Sequence, residues 1–87
     1  MAHFAKVKDG VVEAVIVVNN ETLGDLEFPD SEPVGQAFIA SIGLDGTWKQ
    51  TSYNAKFRNK YAGLGDTYDE VNDVFVAPVI EGITYDN

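Results

Sequence analysis

The sequence predicts an α+β domain, a mainly antiparallel sheet of about five strands with one helix packed on one face. Three observations carry this expectation. Two apolar strands flank an Asp9-Gly10 turn, a single run of helical period lies between Ser31 and Ile42, and a second alternating pair of strands follows Asp66. The domain is expected over residues 1–78, with 79–87 as a loosely ordered C-terminal extension.

The first hairpin joins Ala2–Lys8 to Val11–Val18. Asp9 and Gly10 occupy the two central positions of a type I′ turn, which requires positive φ at both and suits glycine at the second. A two-residue loop sets Val7 opposite Val12, Lys6 opposite Glu13, Ala5 opposite Ala14 and Phe4 opposite Val15. One face then holds Val7, Val12, Ala5, Ala14, Ile16 and Val18, and its paired alanines form a trough for a helix. The other holds the Lys6 and Glu13 pair with Phe4, Val11, Val15 and Val17, and needs cover from the C-terminal hairpin or a neighbouring chain.

From Asn19 to Asp30 the chain reads as a short turn or loop pinned by Leu23, Leu26 and Phe28. The helix follows. Asp30 or Ser31 caps it, Glu32 and Pro33 suit its first turn, and Gly43 provides the left-handed residue at its end. Val34, Ala37, Phe38 and Ile42 recur at helical spacing and form the expected buried face. Thr47–Tyr53 alternates as a strand with Trp48, Gln50 and Ser52 on one side and Trp48 in the core. A long loop runs from Asn54 to Gly65, and Asp66–Asp69 then pairs with Val74–Ala77 across Glu70-Val71-Asn72-Asp73.

Composition narrows the functional classes. The 87 residues carry a net charge of -8, with 45% hydrophobic and 11% aromatic residues and no cysteine. A chain of this size supports one small core, and disulfide or thiolate-metal reinforcement is excluded. The negative charge argues against a dedicated nucleic-acid or anionic-membrane binder, and the apolar content argues against a disordered acidic tail. The opening residues are not expected to act as a signal peptide, and no apolar run is long enough to span a bilayer.

Catalytic constellations are thin. His3 is the single histidine, and it reads as a terminal strand residue at a sheet rim. Asp66, Asp69, Glu70 and Asp73 gather carboxylates around a turn, but without the alternate-position spacing and central glycine of a calcium loop. They read as turn-forming acids. Gly63-Leu64-Gly65 lacks the third glycine of a dinucleotide fingerprint. The chain is therefore expected to be non-enzymatic, with no cofactor and no metal.

Charge is unevenly spread. Trp48–Ala62 holds Lys49, Lys56, Arg58 and Lys60 with no acid, a local +4, against -12 for the remainder. Aromatic residues are interleaved with those charges. A single-strand nucleic-acid platform has this look, but the surrounding negative field opposes a phosphate backbone. A protein partner suits it better, since aromatic and arginine side chains are enriched at interfaces. The candidate partner-binding strip is Lys49, Tyr53, Lys56, Phe57, Arg58, Lys60 and Tyr61; the competing reading places Trp48 and Tyr53 in the core, with the cations decorating a solvated loop.

A resemblance adds a setting. The segments Met1-Ala2-His3-Phe4-Ala5-Lys6-Val7, Val15-Ile16-Val17-Val18, Gly35-Gln36-Ala37-Phe38 and Thr47-Trp48-Lys49-Gln50-Thr51-Ser52-Tyr53-Asn54 are similar to a family of small, mostly uncharacterised virion-associated proteins of marine tailed phages, cyanophages especially. Phe57-Arg58, Tyr61-Ala62-Gly63, Thr67-Tyr68-Asp69 and Asp73-Val74-Phe75-Val76-Ala77-Pro78 resemble the family's second half. Two departures stand out: Asp66 replaces an aromatic residue of many relatives, and their proline-rich, tryptophan-containing continuation past Pro78 is missing. The resemblance implies a virion protein made in the host bacterial cytoplasm, and no catalytic residues. The expected function is capsid decoration or cementing, through contacts with the major capsid protein, tail subunits or another copy. A tail or baseplate component, or a small acidic effector of a host protein, is the alternative.

Overall fold

A computed structural model describes residues 1–78; the extension expected at 79–87 lies outside them. The elements are β1 (Ala2–Lys8), β2 (Val11–Val18), α1 (Ser31–Ser41), β3 (Thr47–Thr51), β4 (Thr67–Asp69) and β5 (Val74–Val76). They form one antiparallel sheet in the order β3-β1-β2-β4-β5 with α1 as its helix. The α+β architecture read from the sequence is the observed one.

The Asp9-Gly10 turn forms as its chemistry requires, with φ of 53° and 78° at the two residues. The register beyond it differs from the simple hairpin. Val7 faces Val12, but Lys6 faces Ala14, Ala5 faces Val15 and Phe4 faces Ile16. Glu13 is the extra residue of a bulge, and it exchanges the faces of β2 from that point onward. The expected alanine trough does not exist. Instead Phe4, Ile16 and Val18 share one face and Ala5, Val7, Val12 and Val15 the other. Lys6 still reaches Glu13 (Nζ–Oε1 3.2 Å) and also Asp45 (3.5 Å).

Both faces are covered. On the first, Phe4, Val18, Leu23, Ile39 and Trp48 form a core with Ile16 and Phe38 packed against it. The buried residues of α1 are Ser31, Gly35 and Ile39, so the helix is rotated from the expected Val34, Ala37, Phe38 and Ile42 face. Val34 and Ile42 are exposed. The reason is a close approach: Gly35 lies against the Phe4 ring, where a Cβ would stand 2.1 Å from Cζ. Ser31 Oγ then donates to Gln50 Oε1 at 2.7 Å beneath the helix. Gly43 takes the left-handed conformation after the last turn (φ 88°).

On the second face, Ala62 of the long loop and Phe75 of β5 pack on Ala5 and Val12, with Tyr68 alongside. β2 meets β4 at one aligned pair, Val11 and Thr67. The join is reinforced by Val12 N–H to Asp66 C=O (2.8 Å), Gly65 N–H to Val12 C=O (2.9 Å) and Tyr68 N–H to Gly10 C=O (2.8 Å). At this short junction the β4–β5 hairpin turns back over the sheet, so that Phe75, fully buried, seats on the Ala5 face.

Candidate partner-binding surface

The long loop between β3 and β4 carries most of the expected strip, and its geometry divides those residues into two groups. Arg58 belongs to the interior. Its side chain is 6% exposed and its guanidinium engages both Glu32 carboxylate oxygens, with Nη2 to Oε1 at 3.1 Å. Nε donates to Asp73 Oδ1 (2.8 Å) and Nη1 to the Gln50 carbonyl (2.9 Å). The same plane lies over the Phe28 and Tyr68 rings, 5.0 and 5.8 Å from their centroids. One side chain therefore ties the helix, β3 and the β4–β5 turn together. Burial opposes the Arg58 charge, and the hydrogen bonds it donates to Glu32 and Asp73 outweigh it, holding its pKa above the usual value.

Three neighbours are also used internally. Lys60 Nζ meets Asp66 Oδ2 at 2.7 Å, and Phe57 stacks on Phe28 with ring centroids 3.9 Å apart. Lys49 Nζ sits 5.5 Å over the Tyr68 ring. Two of the four cations of 48–62, Arg58 and Lys60, thus answer acids of α1 and the second hairpin, and Lys49 answers a ring. Arg58 and Lys60, both members of the expected strip, each hold carboxylates of this chain.

Arg58 and Asn59, both at positive φ, also close the sheet edges. At the β3 edge, Gln50 N–H donates to Glu32 Oε2 (2.8 Å), Gln50 C=O accepts from Arg58, and Trp48 C=O accepts from Gln36 Nε2 (2.7 Å). At β5, Phe75 N–H donates to Arg58 C=O (3.1 Å) and Phe75 C=O accepts from Asn59 Nδ2 (2.9 Å). An open edge pairs with other strands, and side-chain capping blocks that route.

The remaining strip residues supply a surface. Tyr53 is 68% exposed; its ring stacks on His3 (5.6 Å) and tilts against Tyr61 (5.3 Å), while Tyr61 meets His3 edge-on at 5.4 Å. His3 pairs with Val17 on β2 and Thr51 on β3, which places Val17, itself exposed, on the same sheet face. Lys56 follows in the turn built on Ser52, whose Oγ accepts from Lys56 N–H (3.0 Å). Lys56 is exposed and makes no ion pair among the described residues. Burial lowers the His3 pKa, with the terminal amine adding to the effect, which favours the uncharged imidazole as a third ring of the cluster. His3 and Val17 are missing from the sequence-derived strip; pairing β1 with β3 is the signal that would have brought them in.

The acids of the second hairpin are structural in three cases. Asp66 accepts from Gly63 N–H (2.8 Å), Asp69 accepts from Val71 N–H, Asn72 N–H and the Asn72 amide, and Asp73 accepts from Arg58 and the Tyr68 hydroxyl. Among the described residues no group of three acids or histidines is arranged to hold a metal ion, and no helix is long and apolar enough to cross a membrane.

A pH signature follows from the Tyr68 and Asp73 pair. The Tyr68 hydrogen bond, with Arg58 beside it, holds the Asp73 carboxyl below its usual 3.8. Its contribution is present above that value and is lost as pH falls through the depressed one. Burial, then the bond to Asp73, pushes Tyr68 up to about 12 from 10.0. That contribution is complete below 10.0 and disappears as pH rises through about 12. Urea midpoints measured against pH should fall on both sides, and Tyr68→Phe should remove the alkaline limb and weaken the acid one. An alkaline limb unchanged in Tyr68→Phe would exclude this assignment.

No protein-family model, curated protein or solved structure matches the chain.

Proposed function

We propose that the protein is a non-enzymatic structural component of a phage particle, decorating or cementing the capsid by binding neighbouring virion subunits. The phage setting comes from the sequence resemblance. The binding reading is carried by one observation: three rings in mutual contact, one of them largely exposed, stand beside an exposed lysine on an acidic molecule. Aromatic side chains held rigid by one another lose little freedom on association and remove much apolar area from water. Tyr53 and Tyr61 are the anchors, His3 and Val17 extend the apolar contact, and Lys56 fixes register against an acidic group of the partner.

Particle composition tests the reading. Mass spectrometry of purified virions should find the protein in fixed proportion to the major capsid protein. Tyr53→Ser with Lys56→Glu should lower its affinity for particles by about 2 kcal/mol or more, roughly 30-fold, as for loss of an interfacial anchor. Both side chains are exposed, so the unfolding midpoint should stay within about 0.5 kcal/mol of the parent. Undiminished occupancy would rule out this surface, and absence from particles would rule out the structural role.

A further inference from the structure

The face of the sheet that carries the rings has a second feature at its other end. His3, Ala5 and Val7 alternate along one face of β1; the rings gather at His3, while the middle is covered by Ala62 and Phe75. Beyond Val7, between the β1–β2 turn and the β4–β5 turn, lies an open cleft of about 430 Å³. Asp9, Asp69 and Glu70 line it with Thr47 and Tyr68, and no cation does. Asp9 and Glu70 are exposed and make no ion pair among the described residues.

We propose that the ring end of one copy docks into the acidic cleft of a second copy, head to tail; this deepens the partner-binding reading and rests on it. Charge complementarity selects this occupant. Lys56 is the exposed cation beside the rings, and the cleft offers Asp9 and Glu70, without ion pairs among the described residues, in a lining that includes Tyr68 and Val7. A two-fold arrangement of ring end on ring end would instead bring two Lys56 side chains into one interface.

Net charge does not forbid the contact. The two features are six residues apart on the chain from His3 to Asp9, about 20 Å at a strand's rise. Ionic screening acts over about 8 Å at physiological salt. Local charges therefore decide the encounter, and the remaining acids oppose it only at low ionic strength. Because the two surfaces differ, the contact is heterologous and leaves one free ring end and one free cleft at the ends of any open chain. Copies laid on a repeating lattice can then link to one another as well as to the shell, and weak contacts accumulate.

Sedimentation of the full chain over a concentration series tests this. Association should be concentration-dependent and at least tenfold weaker in each of two variants. The first, Tyr53→Ser with Lys56→Glu, lacks the ring end. The second, Asp9→Asn with Glu70→Lys, lacks the cleft charges, and asparagine suits the positive φ of the turn. Mixing the two should restore a one-to-one dimer and nothing longer, since each supplies the surface the other lacks. A parent that stays monomeric throughout, association untouched by either variant, or a mixture that does not pair would overturn head-to-tail docking. Were the parent monomeric while the first variant still lost its place on particles, the binding surface would stand and the second copy would be the wrong partner.

Discussion

Arg58→Ala is expected to remove about 3–5 kcal/mol of stability, the range seen when one partner of a buried ion pair is deleted. The Arg58 side chain is 6% exposed and that of Glu32 16%, so truncation leaves a carboxylate in a poorly solvated site. It also strips the cap from the Gln50 carbonyl and from Asp73. A chain of this size has roughly 4–13 kcal/mol in total, and each kcal/mol moves the midpoint of a small domain by about 4–8 °C. The melting temperature should therefore drop by at least about 12 °C, readable by circular dichroism. Arg58→Lys should recover little, because one ammonium cannot serve Glu32, Gln50 and Asp73 along a planar fork. Exposing the β3 edge should also make the variant prone to self-pairing, seen as concentration-dependent light scattering. A variant whose stability stays within about 1 kcal/mol of the parent would mean that Arg58 is not what holds the helix, β3 and the β4–β5 turn together. The same result bears on function: reversing Arg58 and Lys60 would unfold the protein before it could report on docking, and for that reason Tyr53 and Lys56 are the residues to change.

What the sequence reveals depends on whether the deciding physics is local. The Asp9-Gly10 turn, the helix ending at Gly43 and the second hairpin are legible because turn and cap residues act on their own backbone. The Glu13 bulge is not. From Ala14 to Val18 every residue is apolar, so either register buries apolar side chains on both faces and alternation cannot choose between them. The rotational setting of α1 is hidden for a related reason. Its buried face consists of Ser31, Gly35 and Ile39, selected by a close approach to Phe4 and a hydrogen bond to Gln50. Neither registers as a hydrophobic stripe.

The binding surface divides along the same line. Tyr53, Lys56 and Tyr61 stand out in the sequence; the first two remain exposed and Tyr61 is half-buried beside them. Arg58 and Lys60 look identical in type but are taken up by Glu32, Asp73 and Asp66, partners that long-range folding brings to them. Half of the cationic cluster of 48–62 is thus directed at this chain's own acids. His3 becomes informative only when β1 lies beside β3 and brings it next to Tyr53.

Gly35→Ala should reverse the usual sign of a helical substitution. Replacing glycine by alanine inside a helix ordinarily stabilises by about 0.5–1 kcal/mol, through lost freedom in the unfolded chain. Here the added Cβ would fall 2.1 Å from Phe4 Cζ and 2.7 and 2.8 Å from its two Cε atoms. The ring cannot retreat, since Phe4 is fully buried between α1 and the sheet with Ile39, Trp48 and Val18 around it. The helix must lift, and lifting it stretches the Ser31 to Gln50 and Gln36 to Trp48 bonds. A net loss of about 1–3 kcal/mol is expected, the usual cost of overpacking, measured as a lower urea midpoint with an unchanged slope. Phe4→Leu alone leaves a void and also destabilises. Combined with Gly35→Ala it should do less harm than the sum, with a coupling of about 0.5–3 kcal/mol, because the shorter side chain vacates the place the methyl group needs. Additive losses in that cycle would place the helix elsewhere on the sheet, and with it the Glu32 and Gln36 side chains that close the β3 edge.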